Sequence, residues 1–280
     1  MKSKLLIKIL AALVITLFCS TSYAHNVDLH VSNRWKNCSM QIDPSLTQGA
    51  WQQFTREAGL IAYFRPLASA KPLGARKFEI ILTQGWAPID DTDSAWNDTF
   101  VHIHSTHWQI GEQAKKDDEV TAGHADSRHV LPMPLPLVRI GLTDRIDIGG
   151  TFLMAPGSNY GFAGAQLQYS ILNDMEKNLA TAVRIGAMGL VGVEDFGLTA
   201  FSIDLIASKD ISRFTAYGGL GTYLMSSHET TSVVDLDDEN LLGLTGMVGV
   251  TTTLFSHLRI GAEISLSALT MPVIVIGYTR

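Results

Sequence analysis

From Phe78 to the C-terminus the side chains alternate with a period of two, apolar on one face and polar or small on the other. That period belongs to β-strands with two different surroundings. In 198–207, Phe201, Ile203 and Leu205 share one face, while Ala200, Ser202 and Asp204 share the other. In 258–268, Leu258, Ile260, Ile264 and Leu266 oppose Arg259, Gly261, Glu263, Ser265 and Ser267. Gln166 and Gln168 oppose Leu167, Tyr169 and Ile171, and Arg184 runs in phase with Ala180, Ala182 and Gly186. The polar faces carry few charges, set among Gly, Ala and Ser, whereas the exposed face of a soluble sandwich usually carries many Lys and Glu. Such a pattern fits strands with lipid on one side and a lumen on the other.

The N-terminus says how the chain reaches a membrane. Lys2, Lys4 and Lys8 precede the apolar run 9–18, and Ser22-Tyr23-Ala24 supplies the small residues of a cleavage site. These are the three parts of a secretory signal peptide, expected over 1–24. The run falls short of the roughly 20 residues a membrane-spanning helix needs. Cys19 follows Phe18, which is too large for a lipidation signal, so no lipid anchor is expected. Removing 1–24 moves the formal charge from −6 to −9 and leaves Cys38 without a second cysteine to bridge. Net negative charge leaves nothing to neutralise phosphates, which excludes a nucleic-acid partner.

Beyond residue 24 no apolar stretch reaches the length of a transmembrane helix. Charged residues are 17% of the chain and apolar residues 46%, against roughly 25% charged in an ordinary soluble protein. For an exported chain of this kind, the remaining way to cross lipid is a closed antiparallel barrel, because lipid satisfies no backbone polar group. The expected class is therefore all-β, an antiparallel transmembrane β-barrel of about 10–12 strands with a short N-terminal helix. Wall strands are expected at 78–87, 130–142, 146–154, 160–172, 179–190, 198–207, 214–225, 241–254, 258–268 and 273–279. A hairpin within 100–110 would add two more. Short turns, such as Thr143-Asp144-Arg145, Ser208-Lys209-Asp210 and Ser256-His257, alternate with long polar connections, notably 88–128 and the acidic 226–240. The division expected is a signal peptide at 1–24, an N-terminal segment at 25–77 and a barrel at 78–280.

The N-terminal segment has a different period. Asp43-Pro44 suits a helix start, and Leu46, Ala50, Phe54, Ala58 and Ile61 follow at helical spacing with Trp51 beside them. The helix is expected over 44–64, ending before Arg65-Pro66. Periodicity leaves it free to sit in the lumen or in the periplasm. Exposing Trp51, Phe54 and Ile61 to water would forfeit about 1.5–3 kcal/mol each, which favours a place in or across the mouth.

Three stretches carry a resemblance. The first is "FTREAGLIAYFRPLASAKPLGARKF" (54–78) and the second "LPLVRIGLTDRIDIGG" (135–150). The third is "AVRIGAMGLVGVEDFGLTAFSIDLIASKDISRFTAYGGLG" (182–221). Together the sequence resembles a family of uncharacterised bacterial outer-membrane β-barrel proteins. That resemblance implies an outer-membrane barrel preceded by a helical segment, and it transfers no catalytic or ligand residue. One departure is the ending Tyr278-Thr279-Arg280, where barrels of this location usually end in Phe or Trp.

Candidate sites follow from the faces. Arg139, Arg184, Asp204, Arg259 and Glu263 are the charges expected in the lumen. They read either as a selective eyelet or as ion pairs that fill a narrow barrel. His102 and His104 would share one face of a strand, but two imidazoles fall short of the four ligands a structural zinc normally takes. No metal and no cofactor is assigned. Ser256-His257 sits in a turn without an acid relay, so no catalytic residue is expected. Trp86, Trp108, Tyr160, Tyr217, Tyr223 and Tyr278 fall near strand ends or in the upper half of strands and read equally as interfacial rings or as interior packing. The function expected is non-enzymatic: a narrow channel for small or apolar solutes, or a structural barrel, in a Gram-negative outer membrane. The partners implied are membrane lipid, lipopolysaccharide and the outer-membrane insertion machinery. The alternatives are a soluble exported β-protein binding a small apolar ligand and a barrel enzyme acting on lipid.

Overall fold

The computed structural model describes residues 39–63, 65, 67–90, 93–101, 129–155 and 159–280. The chain opens with a two-residue strand β1 (Ser39–Met40) and the helix α1 (Gln48–Ala62). Then come β2 (Phe78–Ile89), a helical turn α2 (Ser94–Asn97) and β3 (Phe100–Val101). Nine strands follow: β4 (His129–Gly141), β5 (Ile146–Met154), β6 (Gly161–Asp174), β7 (Leu179–Val191), β8 (Phe196–Ile211), β9 (Phe214–Glu229), β10 (Glu239–Leu254), β11 (Leu258–Leu266) and β12 (Met271–Thr279).

β2 and β4 to β12 close into a ten-stranded barrel in which each strand pairs antiparallel with its neighbours in sequence. The seam is β12 against β2, running from Val273 opposite Gly85 to Thr279 opposite Glu79. Phe78 and Arg280 exchange two backbone hydrogen bonds, 2.8 and 2.9 Å, at its end. The ring of strand pairings is closed, as lipid demands, and its shortest ladder is β4 against β5, with four register pairs from Val138 opposite Gly150 to Gly141 opposite Asp147. The expected hairpin in 100–110 does not join the wall. Residues 100–101 pair instead with Ser39–Met40 in a separate two-stranded sheet, and 102–110 lies outside the described residues.

The two faces of the wall differ sharply. Along β8, Phe201, Ile203 and Leu205 are 52, 54 and 56% exposed, while Ser202 and Asp204 between them are 3 and 0% exposed. Leu220, Leu242, Leu244, Phe152 and Ile185 continue the exposed apolar surface around the barrel. That much open apolar surface is compatible with lipid and not with water. A soluble barrel with an apolar ligand in its core would have the faces reversed. The transmembrane barrel stands, and the soluble alternative does not.

At the turn end, where β2 begins and β12 finishes, every connection between wall strands is four residues or fewer (142–145, 175–178, 212–213 and 255–257); the other end, the loop end, carries the longest connections, β2 to β4 and β9 to β10, together with the four-residue ones at 192–195 and 267–270. β8 runs further toward the turn end than the alternation suggested. Ser208-Lys209-Asp210 is strand, and the chain reverses at 212–213 with Ser212 at φ 59°. Extension is favoured there because Ser208 and Asp210 face inward and find partners in the lumen.

The helix starts later than Asp43-Pro44. Asp43 accepts from the backbone and side chain of Ser45 at 2.9 and 2.6 Å, and so closes its own turn. Its backbone N–H is held by the Asp98 carbonyl. Thr47 is the residue that caps α1, accepting from the Ala50 N–H at 3.4 Å. The last turn is capped by the Arg65 guanidinium, which donates to the carbonyls of Leu60 (2.6 Å) and Ile61 (3.2 Å).

An Arg at the lipid-facing position 203 should lower folding stability in lipid vesicles by about 2–4 kcal/mol, while Ile203→Leu should be near neutral. Urea titration followed by tryptophan fluorescence reads both. Equal midpoints for the two variants would contradict the face assignment.

Candidate functional site in the barrel lumen

The lumen holds α1 and, among the described residues, 63, 65 and 67–73 of the same chain. At the loop end, the Met40 N–H donates to Asn159 Oδ1 (2.8 Å) and the Ile42 N–H to Asp195 Oδ2 (3.0 Å). Gln48 of α1 donates to Glu239 Oε1 at 2.6 Å and accepts from the Asp237 N–H at 2.9 Å. Below that rim, Trp51 and Phe54 are fully buried against Phe196, at ring-centroid separations of 5.3 and 5.4 Å. Phe54 also meets Trp96 edge-on at 5.2 Å. Ala58, Leu60 and Ile61 complete this apolar plug against Leu198, Ala200, Tyr223, Met225 and Met271 of the wall. Each edge-on aromatic pair adds about 0.5–1.5 kcal/mol beyond the area it buries.

After α1 the chain continues toward the turn end, and residues 63, 70 and 71 meet successive inner-face positions of β8. Tyr63 hydrogen-bonds Asp204, the Ala70 N–H donates to Ser208 Oγ at 3.2 Å, and Lys71 pairs with Asp210. The Leu73 N–H then reaches both oxygens of Asp147 at 3.1 Å. Trp51 and Phe54 against Phe196 begin the same series at the loop end. Partner numbers on β8 rise together with residue numbers on the segment, so the segment passes once along the length of the lumen. Two glycines make room for it. A Cβ on Gly59 would overlap Met225, and one on Gly221 would overlap the Asp204 carboxylate beside the Tyr63 hydroxyl.

The lower lumen is charged. Arg65, Arg139, Arg184 and Arg259 are buried there together with Glu79, Asp147, Asp204 and Glu263. Arg139 is held by Glu79 (3.0 Å) and Asp147 (3.1 Å), and Arg259 by the other oxygen of Glu79 (2.8 Å). Arg184 donates to Gln168 and lies opposite Asp204 in the β7–β8 register. Glu263 accepts from Tyr217 Oη at 2.8 Å and from the Leu67 N–H at 3.0 Å. The Leu67 carbonyl accepts from Arg259 at 2.8 Å. Leu67 has φ 51°, a left-handed conformation that costs a branched residue roughly 1–3 kcal/mol. Two charge-assisted hydrogen bonds to its backbone hold it there.

Each of the five charges singled out in the sequence thus lies on the inner face. Four further members of the network were missed: Glu79, Asp147, Tyr63 and Arg65. Glu79 and Asp147 carried the same signal as the others, being out of phase with Ile80 and with Ile146 and Ile148. Tyr63 and Arg65 had no strand period to mark them. Tyr217 and Tyr223 are not interfacial rings. Both point inward, Tyr217 to Glu263 and Tyr223 into the plug, because inner-face glycines 243 and 249 leave space beside them. Tyr278 packs with Phe78 and His257 at the turn end. His257 Nδ1 lies 3.0 Å from the Thr279 carbonyl, which fixes its ring to the backbone. His102, His104 and Trp108 lie outside the described residues. Among the described residues no group of three metal-binding side chains comes together.

A cavity of about 20 Å³, lined by Tyr63, Arg65, Thr83, Met188 and Met271, sits beside the segment. That is room for about one water molecule.

No protein-family model matches the sequence, and no curated protein matches it. Solved structures of similar architecture are outer-membrane barrels. Ail, the attachment invasion locus protein of Yersinia pestis, is 9% identical with a TM-score of 0.31, covering 74% of this chain and 99% of its own. Neisserial surface protein A is 11% identical with a TM-score of 0.27, covering 72% and 94%. The translocator domain of the autotransporter NalP from Neisseria meningitidis is 10% identical with a TM-score of 0.35, covering 82% and 94%. Likeness at this level assigns no activity.

Glu79→Ala removes the shared partner of two buried arginines and should cost about 3–5 kcal/mol. Glu176→Ala, in an exposed turn, should stay within about 0.5 kcal/mol. Urea midpoints in vesicles measure both, and equal values would show that the network does not hold the barrel.

Proposed function

We propose that the protein is a non-enzymatic barrel of a Gram-negative outer membrane whose lumen is sealed by its own N-terminal segment. It is a structural barrel in its resting state and not an open channel. The observation that carries this reading is the ladder of contacts from Trp51 on Phe196 to Leu73 on Asp147, which runs along the lumen from loop end to turn end. A solute path needs a continuous aqueous column, and the segment lies along the axis that such a column would follow, with a cavity for about one water beside it. The inner charges serve as ion pairs that anchor the plug, since Asp147, Asp204 and Glu263 all spend hydrogen-bonding capacity on residues 63–73. In this reading the outer face meets acyl chains and lipopolysaccharide, and the insertion machinery folds the wall around the segment.

Planar-bilayer recording tests the seal. The intact protein should insert without resolvable conductance steps. Deleting 25–74 behind the signal peptide should retain a heat-modifiable band on semi-native gels and give discrete steps. Gly59→Leu, which cannot seat α1 against Met225, should give intermittent steps while keeping the wall. Steady open steps from the intact protein would overturn the sealed reading.

A further inference from the structure

One seam of the wall is paired over only part of its length. β4 pairs with β2 from His129 to Ile140, and β5 pairs with β6 from Ile146 to Met154. Between β4 and β5 the ladder stops at Val138 opposite Gly150, and no register pair joins the two strands above it. The sequence of β4 gives the reason. The Leu142 N–H donates across the turn to the Ile146 carbonyl (2.8 Å), while the Gly141 N–H donates to Lys77 on the other side (2.8 Å). Even-numbered positions of β4 therefore turn their backbone toward β5. Pro132, Pro134 and Pro136 occupy three of these positions and have no N–H to give. The Pro136 carbonyl still faces β5, where it accepts from Thr151 Oγ1.

What lies behind the opening is apolar. Met133 and Leu135 of β4 and Leu153 of β5 are inner-face residues that are only half-buried, whereas Leu137, one inner position below, is fully buried. Met133 and Leu135 pack on the cluster that holds Phe162 and Met188, and Ala62 and Leu67 of the luminal segment close its back. On the outside, Val138 and Phe152 are 45 and 63% exposed and belong to the lipid-facing surface. Three kinds of occupant come into question. A further strand, which an unpaired edge ordinarily recruits, would find no donor at the prolines. Water would be set against methionine, leucine and phenylalanine side chains, which offer it no partner. A hydrocarbon chain needs neither donor nor acceptor, and the surrounding bilayer supplies it as the solvent. We propose that the β4–β5 opening is a lateral binding site for one acyl chain of a membrane lipid, which lies through the wall against Met133, Leu135 and Leu153. The site opens to the bilayer and ends at Ala62 and Leu67, so the lumen stays sealed along its axis.

Photo-crosslinking tests the site. The protein is folded in phosphatidylcholine vesicles doped with a phosphatidylcholine whose second acyl chain carries a mid-chain diazirine, then irradiated, digested and mapped by mass spectrometry. Adducts should fall on Leu135 and Leu153, which lipid outside an intact wall does not reach, and on the outward Ile203; Met225 of β9, buried in the plug, should carry none. Adducts confined to outward residues such as Ile203 would overturn the site. The double variant Pro134→Val/Pro136→Thr restores two donors toward β5 and lets the ladder extend. Its adducts on Leu135 and Leu153 should fall to the level of Met225 while those on Ile203 stay unchanged. Inner-face adducts that persist in a heat-modifiable double variant would overturn the opening as the way in. Leu153→Trp, which fills the opening from the other strand, reads the same loss should the double variant fail to fold. Photoreactive palmitic acid in place of the doped lipid tests the source: adducts on Leu135 from the free acid alone would overturn a membrane lipid as the occupant.

Discussion

Lipid offers no partner to a backbone N–H or C=O, and the rest of the architecture follows from that constraint. The sheet has to close on itself, which the β12–β2 seam achieves through seven register pairs and the exchange between Phe78 and Arg280. Closure creates an interior. Around eight strands the inward side chains of the wall just fill such an interior. Ten strands leave a surplus, and in this protein α1 and the segment that follows it take it up. The segment is thus a consequence of strand number as much as an addition to it.

The filling changes character along the axis. Near the loop end it is apolar and aromatic, with Trp51, Phe54 and Phe196 in mutual contact. Burying such rings contributes about 1.5–3 kcal/mol each. Toward the turn end it becomes ionic, with four arginines among four carboxylates. Isolated, any of these charges would carry a desolvation cost of several kcal/mol; matched in number and bridged through Glu79, they offset one another. The apolar part supplies affinity without direction, while the ionic part sets register, because Asp147, Asp204 and Glu263 each accept a hydrogen bond from a different residue of the segment.

The wall was legible because a two-sided environment writes a period of two. Phe201, Ser202, Ile203 and Asp204 give away both faces in four residues. Arg139, Arg184, Asp204, Arg259 and Glu263 could be picked out for the same reason, and all five are buried. Ends of strands were not legible, since Ser208-Lys209-Asp210 has turn composition and is kept extended by pairing with β7 and β9 and by partners from residues 70 and 71. The start of α1 was misplaced because Asp43 caps whichever turn comes first, and here that turn is its own. Tyr63 and Arg65 lie on irregular backbone, where no periodicity reports burial. Tyr217 and Tyr223 read equally as interfacial or interior from their positions along the strands. Their inward direction depends on glycines of the neighbouring strand, which is register information that a single strand does not contain.

Covalent trapping of the segment against the wall tests the threaded lumen most directly. Thr55 Oγ1 and Ser227 Oγ lie 2.6 Å apart in the plug, and the Ala70 N–H reaches Ser208 Oγ near the turn end. The cysteine pairs Thr55→Cys/Ser227→Cys and Ala70→Cys/Ser208→Cys, each without Cys38, should oxidise in the folded, lipid-embedded protein. Mass spectrometry of the digested chain should recover both cross-linked peptides. Recovery of both in heat-modifiable barrels is the result predicted, because a segment threaded from loop end to turn end brings each pair into contact. A folded barrel in which neither pair cross-links would contradict the threaded lumen.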